Sequence, residues 1–338
     1  MTRLVLLGGG HAHALVLLQF RNFISKHLLV SLVTPSPVHV YSGMVPGVIA
    51  GHYRAEEAQI DLARLARAAG VELILDRVLR VDPGAKQIEL AGGDRLDYDV
   101  ASLNLGSMPA APAQAAAVKP FEALMARWRG LLENGPKAPR IAVVGAGAGG
   151  VELAMAMKFA LAGRGEVVLF SERFPFRPGV ARRIERALAR LSIPLRLEAL
   201  PDAAFDAAFW VTGAAPLAML RDSGLAKDAG GFVLVDPALR SVSHPDIFAA
   251  GDCASLEGAE LPKSGVYAVR QGAVLAENLK RVVRGLPMLD YRPQSSSLSL
   301  ISCGEKYAIA SRGKWSAEGR WAWWWKDWVD RRWVAKFT

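Results

Sequence analysis

Gly145, Gly147 and Gly150 stand at the spacing G-x-G-x-x-G, which suits a backbone that must wrap a pyrophosphate. The first glycine permits the turn, the second lets a main-chain amide approach the phosphates, and the third lets a helix pack close to a strand. A second copy, Gly8-x-Gly10-x-x-His13, departs at its third position. There the imidazole must point outward or widen the gap between helix and strand. At the end of the strand after such a turn an acid takes the ribose hydroxyls. Spacing puts Thr34 at that place in the first copy and Ser171 in the second, with Glu172 and Arg173 following. A carboxylate favours NADH and an arginine tolerates the 2′-phosphate of NADPH, so both nicotinamide cofactors stay open. His11 and His13 do not make a metal site: residues two apart on a helix face different ways, and no cysteine or third histidine lies near.

Each turn needs a strand before it and a helix after it. The apolar run from Val5 to Leu7, the helical pattern from Ala12 to Phe23 and the run from Leu28 to Val33 supply them in the first copy. The run from Ile141 to Val144, the pattern from Val151 to Leu161 and the run from Val167 to Phe170 do so in the second. Strand, glycine turn, helix and strand make a βαβ unit, whose strands are parallel. The chain therefore predicts an α/β fold with two Rossmann-like dinucleotide-binding domains. Hydrophobic residues are 51% and charged residues 22% of the 338, which excludes long disordered tails. The two cysteines, Cys253 and Cys303, exclude a disulfide framework, a zinc ribbon and a C-x-x-C pair, and fit a reducing cytoplasm. A net charge of +9 suits anionic ligands. Gly8-Gly9-Gly10 breaks the uncharged stretch after Arg3, which argues against a signal peptide. The stretch from Val100 to Val118 carries Asn104, Gly106, Pro109, Pro112 and Gln114, so it does not read as a membrane span.

Ile247 to Ala250 is an apolar strand that ends in Gly251 and Asp252. Two further strand-turn segments, Asn104-Leu105-Gly106-Ser107-Met108-Pro109 and Val211-Thr212-Gly213-Ala214-Ala215-Pro216, stand in order between these motifs. With them the chain resembles the flavoproteins of the pyridine nucleotide-disulfide oxidoreductase superfamily, which have a glutathione reductase-like arrangement of two domains. Within it the likeness is to type II NADH dehydrogenases. The runs G-G-G-H-A-H, Y-S-G-M-V-P-G, P-K-S-G-V-Y-A-V-R-Q-G and W-K-D-W-V-D-R-R-W also resemble the flavoprotein family found fused ahead of selenophosphate synthetase. The resemblance implies FAD, with residues 1–112 and 236–290 as its domain, 113–235 as the NAD(P)H domain and 291–338 as a C-terminal amphipathic segment. It implies that Gly8, Gly10, Thr34, Gly106, Gly251 and Asp252 hold FAD, Asp252 at the ribityl chain, while Gly145, Gly147, Gly150, Glu172 and Gly213 serve the nicotinamide cofactor. His11 would lie over the flavin or its phosphates, and Tyr41 and Ser42 would stand beside the flavin. No cysteine occurs between Val40 and Gly47, where disulfide reductases of the group carry their pair, so thiol relay chemistry is excluded at that place. A helix starting at Gly265 would point its amides at the flavin pyrimidine edge, with Lys263 adding a charge. The alternative for Lys263 is a solvated loop residue. Glu152 reads either as a catalytic group facing nicotinamide and flavin or as an ordinary acid near a helix start.

Seven of the nine tryptophans fall in the last 24 residues, from Trp315 to Trp333. On a helix Trp321, Trp324, Trp325 and Trp328 share one face, and from Arg312 to Lys336 basic residues exceed acidic ones by four. Such a segment suits the headgroup region of a membrane, packing on its own flavin domain, or a homodimer contact. No nucleic-acid recognition fold accompanies it. The expected activity is hydride transfer from NADH or NADPH to FAD, with electrons passing on to a small-molecule acceptor of quinone type at the inner face of the cell membrane. A deletion of residues 321–338 is expected to spare flavin binding. The alternatives are a soluble reductase of a small selenium or sulfur compound and a non-enzymatic flavoprotein that senses NAD(H).

Overall fold

The apolar runs become parallel strands, and each glycine turn feeds a helix. In the computed structural model, which describes residues 1–24, 26–112, 118–201 and 205–338, the first sheet is five-stranded. Its spatial order is Ile247–Ala249, Val100–Leu103, Thr2–Leu7, Leu28–Thr34 and Glu72–Leu75, all parallel. Leu4 to Leu7 are buried without alternation, as a strand covered on both faces must be. The helices in chain order are α1 (His11–Phe20), α2 (Val45–Ile49), α3 (Leu62–Ala69), α4 (Phe121–Asn134), α5 (Ala148–Ala160), α6 (Pro178–Arg190), α7 (Gly265–Val283) and α8 (Arg320–Ala335). The second sheet is parallel too, in the order Leu195–Arg196, Glu166–Phe170, Arg140–Val144 and Ala207–Trp210. The two βαβ units predicted from the glycine turns are thus present, and the strand before Gly251 lies beside the first unit although the second intervenes in sequence.

The two strand-turn segments lie side by side: Met108–Pro109 pairs antiparallel with Ala214–Ala215. Of the crossing predicted from Met108 to Ala117, residues 113–117 lie outside the described residues. The C-terminal segment differs from a simple amphipathic helix. Ser299–Cys303, Glu305–Arg312 and Trp315–Gly319 form an antiparallel sheet before α8 begins, so Trp315 is on a strand. The signal for it lay in Gly304 and Gly313, which turn the chain with φ of 82° and 58° between strand-length runs.

Helix α8 carries two faces. Ala322, Trp323, Lys326, Asp330, Trp333 and Val334 are buried at helical spacing, and Trp333, Val334 and Phe337 enter the same core as the first sheet. Trp321, Trp324, Trp325 and Trp328 are 37 to 57% exposed. The predicted tryptophan face therefore exists and points to solvent, while the opposite face is part of the fold.

Candidate active site

Three helices start with no hydrogen bond from the side chain of the residue before them, and in α1 Asn104 takes the Ala12 and His13 amides instead. Gly10 precedes α1, Gly147 precedes α5 and Ser264 precedes α7. Unpaired amides at a helix start attract anionic or acceptor groups. A Cβ on Gly147 would meet nothing within 4 Å, whereas one on Gly150 would stand 1.7 Å from the Gly145 carbonyl oxygen. The second glycine thus leaves room for a ligand and the third serves close packing, as the motif predicts.

His13 takes the inward of the two expected courses in the first copy. Its side chain does not point outward: it is fully buried, with Nδ1 2.6 Å from the Gly8 carbonyl oxygen and Nε2 2.9 Å from Ser102 Oγ. Nδ1–H donates to the carbonyl and the serine hydroxyl donates to Nε2, so both ring nitrogens are satisfied. Burial pushes its pKa down to about 4, against the opposing Gly8 bond. Asn104, which sequence reasoning named only as part of a turn, ties the crevice together. Its Oδ1 accepts from the Ala12 and His13 amides at 3.1 and 3.3 Å, and its Nδ2 donates to the Ala250 carbonyl at 2.7 Å.

Asp252 lies at the end of the strand Ile247–Ala249, where it accepts from Ser107 Oγ at 3.2 Å and from Lys119 at 3.4 Å. The Gly251 amide donates to Gln271 on α7 at 2.7 Å. Asp252, Lys263, Ser264, Tyr267 and Gln271 line a narrow cleft. Lys263 is not free there: its ammonium donates to the Ala254 carbonyl and sits 4.1 Å over the Phe232 ring, and burial lowers its pKa. Thr34 is buried beside the first turn, with its hydroxyl on the Ser36 carbonyl at 3.2 Å. Gly265 opens α7, and the glycines Gly106 and Gly213 follow strands next to the paired crossings, with open space where a Cβ would be. Glu172 is exposed just past the strand Glu166–Phe170, and Ser42 is exposed in the turn before α2.

Glu152 contacts the C-terminal segment. Its Oε1 accepts from the Ser302 amide at 2.8 Å and the Ser302 hydroxyl at 2.9 Å, because the strand Ser299–Cys303 lies along α5. Burial raises its pKa, only partly opposed by Lys326 and the Ser302 bonds. Helix α8 completes this corner with two residues that sequence reasoning missed as functional. Lys326 donates to the Gly43 carbonyl and to Asp330 Oδ2, each at 2.8 Å, and the Tyr41 hydroxyl donates to Asp330 Oδ1 at 3.1 Å. Burial works against the Lys326 charge, but Glu152 and Asp330 outweigh it and raise its pKa. A second, narrow cleft opens here between Gly43, His52, Tyr53, Ser302, Trp323 and Lys326. The cysteines take no part as nucleophiles. Cys253 and Cys303 are buried in different cores, and burial pushes their thiols up to about 11 and about 12.

The model of the pyridine nucleotide-disulphide oxidoreductase family matches residues 2–204 and 201–272. The chain belongs to this family. As a pyridine nucleotide-disulphide oxidoreductase it is an enzyme that uses flavin and NAD(P)H. It is 25% identical over 334 residues to the NADH dehydrogenase-like protein YutJ of Bacillus subtilis, covering 90% of this chain and 91% of the relative. It is 25% identical over 362 residues to the alternative NAD(P)H-ubiquinone oxidoreductase C1 of Arabidopsis thaliana, covering 87% and 70%. The fold matches the sulfide:quinone oxidoreductase of Aquifex aeolicus with a TM-score of 0.81 at 17% identity, over 100% of this chain and 91% of the other.

Proposed function

We propose that the enzyme is an FAD-dependent NAD(P)H dehydrogenase that delivers electrons to a lipid-soluble acceptor of quinone type. One observation carries this reading: α8 turns four tryptophans outward and, on its other face, sets Lys326 and Asp330 against Tyr41 and Gly43 beside Glu152. An apolar acceptor would approach from the tryptophan-rich end of the molecule towards the cleft lined by Trp323 and Lys326. Among the described residues no helix is long and apolar enough to cross a membrane, so the attachment proposed is to a surface. The quinone reductases among the relatives support the acceptor class.

The residues fit the cofactors. The turn at Gly8 and Gly10, Asp252 and the start of α7 would hold FAD, and the cradle from Gly145 to Gly150 would hold the nicotinamide dinucleotide. When bound, the flavin accepts hydride from nicotinamide and passes electrons on. Reduction of a quinone to its hydroquinone also takes up two protons. Glu152 is placed to give one: both Ser302 bonds end on Oε1, which leaves Oε2 outside them, and burial raises its pKa. Lys326 keeps its charge against the cleft and would steady negative charge on an acceptor oxygen. The buried cysteines with raised pKa lend nothing to the sulfur-reductase alternative.

Anaerobic reduction by NADH and by NADPH, followed by mixing with a soluble quinone, tests this reading. Reoxidation should be fast in the native enzyme. Glu152→Gln should keep nicotinamide-driven flavin reduction while slowing quinone turnover about a hundred-fold, the usual size of a general-acid contribution. A reduced enzyme that quinone leaves reduced would refute the acceptor and favour a sensing role.

A further inference from the structure

His11 and His39 form a buried pair that the proposed proton path does not use. His11 Nδ1 lies 3.2 Å from His39 Nε2, while His11 Nε2 is buried and has no partner among the described residues. That nitrogen faces the start of α7, since a Cβ on Gly265 would stand 3.7 Å from it. The helix there is 19 residues long and starts without a side-chain cap. A buried nitrogen left unpaired is destabilising, so two separate features, an orphaned ring nitrogen and uncapped amides, ask for one ligand group. Trp333 packs on the other side of His11 with ring centres 6.4 Å apart, and its Nε1 is likewise buried and unpartnered among the described residues.

Resting on the FAD reading above, we infer that His11 donates its Nε2 hydrogen to the pyrimidine edge of the flavin at the start of α7, with His39 as the positioning residue that fixes its tautomer. Helix-start amides only donate, so the ligand atom they share with His11 must accept. The pair then runs one way: His39 Nε2–H donates to His11 Nδ1, and His11 carries its own hydrogen on Nε2. Both rings remain neutral near pH 7. Burial, helped by the nearby Lys119 charge, takes His11 down to about 4, and burial with the neighbouring His11 and Lys119 lowers His39 as well. A neutral donor at this edge favours the reduced flavin, which carries more negative charge there, and so raises the reduction potential.

Spectroelectrochemical titration and FAD dissociation of the holoenzyme test the inference. His11→Leu should lose FAD about ten-fold more readily, the size of one hydrogen bond to a polar ligand, and its flavin potential should become more negative. His39→Leu should shift both in the same direction by less, and His11→Gln, which keeps a donor, should recover both towards native values. An unchanged potential in His11→Leu overturns the inference, including the case in which FAD affinity falls alone, because the donor would then serve the phosphates. If His11→Leu does not fold, His39→Leu decides by the same two readouts. Failure to bind FAD in the native protein would instead sink the cofactor reading itself.

Discussion

His13 sits where a third small residue is the rule, and its two ring bonds let a bulky side chain occupy that place. Restoring the motif with His13→Gly should therefore weaken the fold, since Ser102 and the Gly8 carbonyl lose their partner and a cavity remains. A loss of roughly 2–4 kcal/mol is expected in urea unfolding; a variant as stable as the native protein would show that the ring contributes no net stability. The same residue predicts a pH effect. Its folded pKa, about 4, lies below the unfolded value of 6.5, so between them the unfolded chain binds more protons. Its contribution is fully present above pH 6.5 and is lost as pH falls towards 4, by about 3 kcal/mol at most. Thermal midpoints measured from pH 7.5 down to 4.5 should fall less steeply in His13→Asn than in the native chain, and parallel curves would contradict the assignment.

Among the elements, α5 and α8 each separate an open face from a packing face. Because a Cβ on Gly147 meets nothing within 4 Å, Gly147→Val should fold and keep its flavin but fail to be reduced by NADH or NADPH. Gly150→Ala should be unstable, given the 1.7 Å approach to Gly145. Reduction of Gly147→Val at native affinity would make the turn structural only. On α8 Trp324 and Trp328 are more than half exposed, Trp324 meeting the core only by its edge on Trp323, so Trp324→Ser with Trp328→Ser should abolish most binding to anionic liposomes and shift the melting temperature little. Trp333→Ala should do the reverse, costing about 3–5 kcal/mol because that ring is buried. Liposome binding that survives the double change would remove the surface role from this face.

For the whole molecule, the C-terminal segment is not a detachable anchor. Val334 and Phe337 complete the first core, and Lys326 and Asp330 hold the Tyr41–Gly43 turn. Contrary to the sequence expectation, truncation after Gly319 should release flavin and lower cooperativity of unfolding; a truncated protein that binds FAD as tightly as the full chain would restore the anchor model. The sequence by itself determined the two βαβ units, their glycine turns, the start of α7 and the outward tryptophan face. Each of these follows from residues within one turn or one element, where spacing and geometry are the same thing. Only the tertiary structure decided that His13 is paired inward, that Asn104 joins α1 to the strand before Gly251, and that Glu152 turns to Ser302, 150 positions away. The Lys326–Gly43 and Tyr41–Asp330 bonds span 283 and 289 positions. No local periodicity encodes such partners, because the bonds exist only once the C-terminal sheet has docked on α5 and has carried α8 back to the first domain.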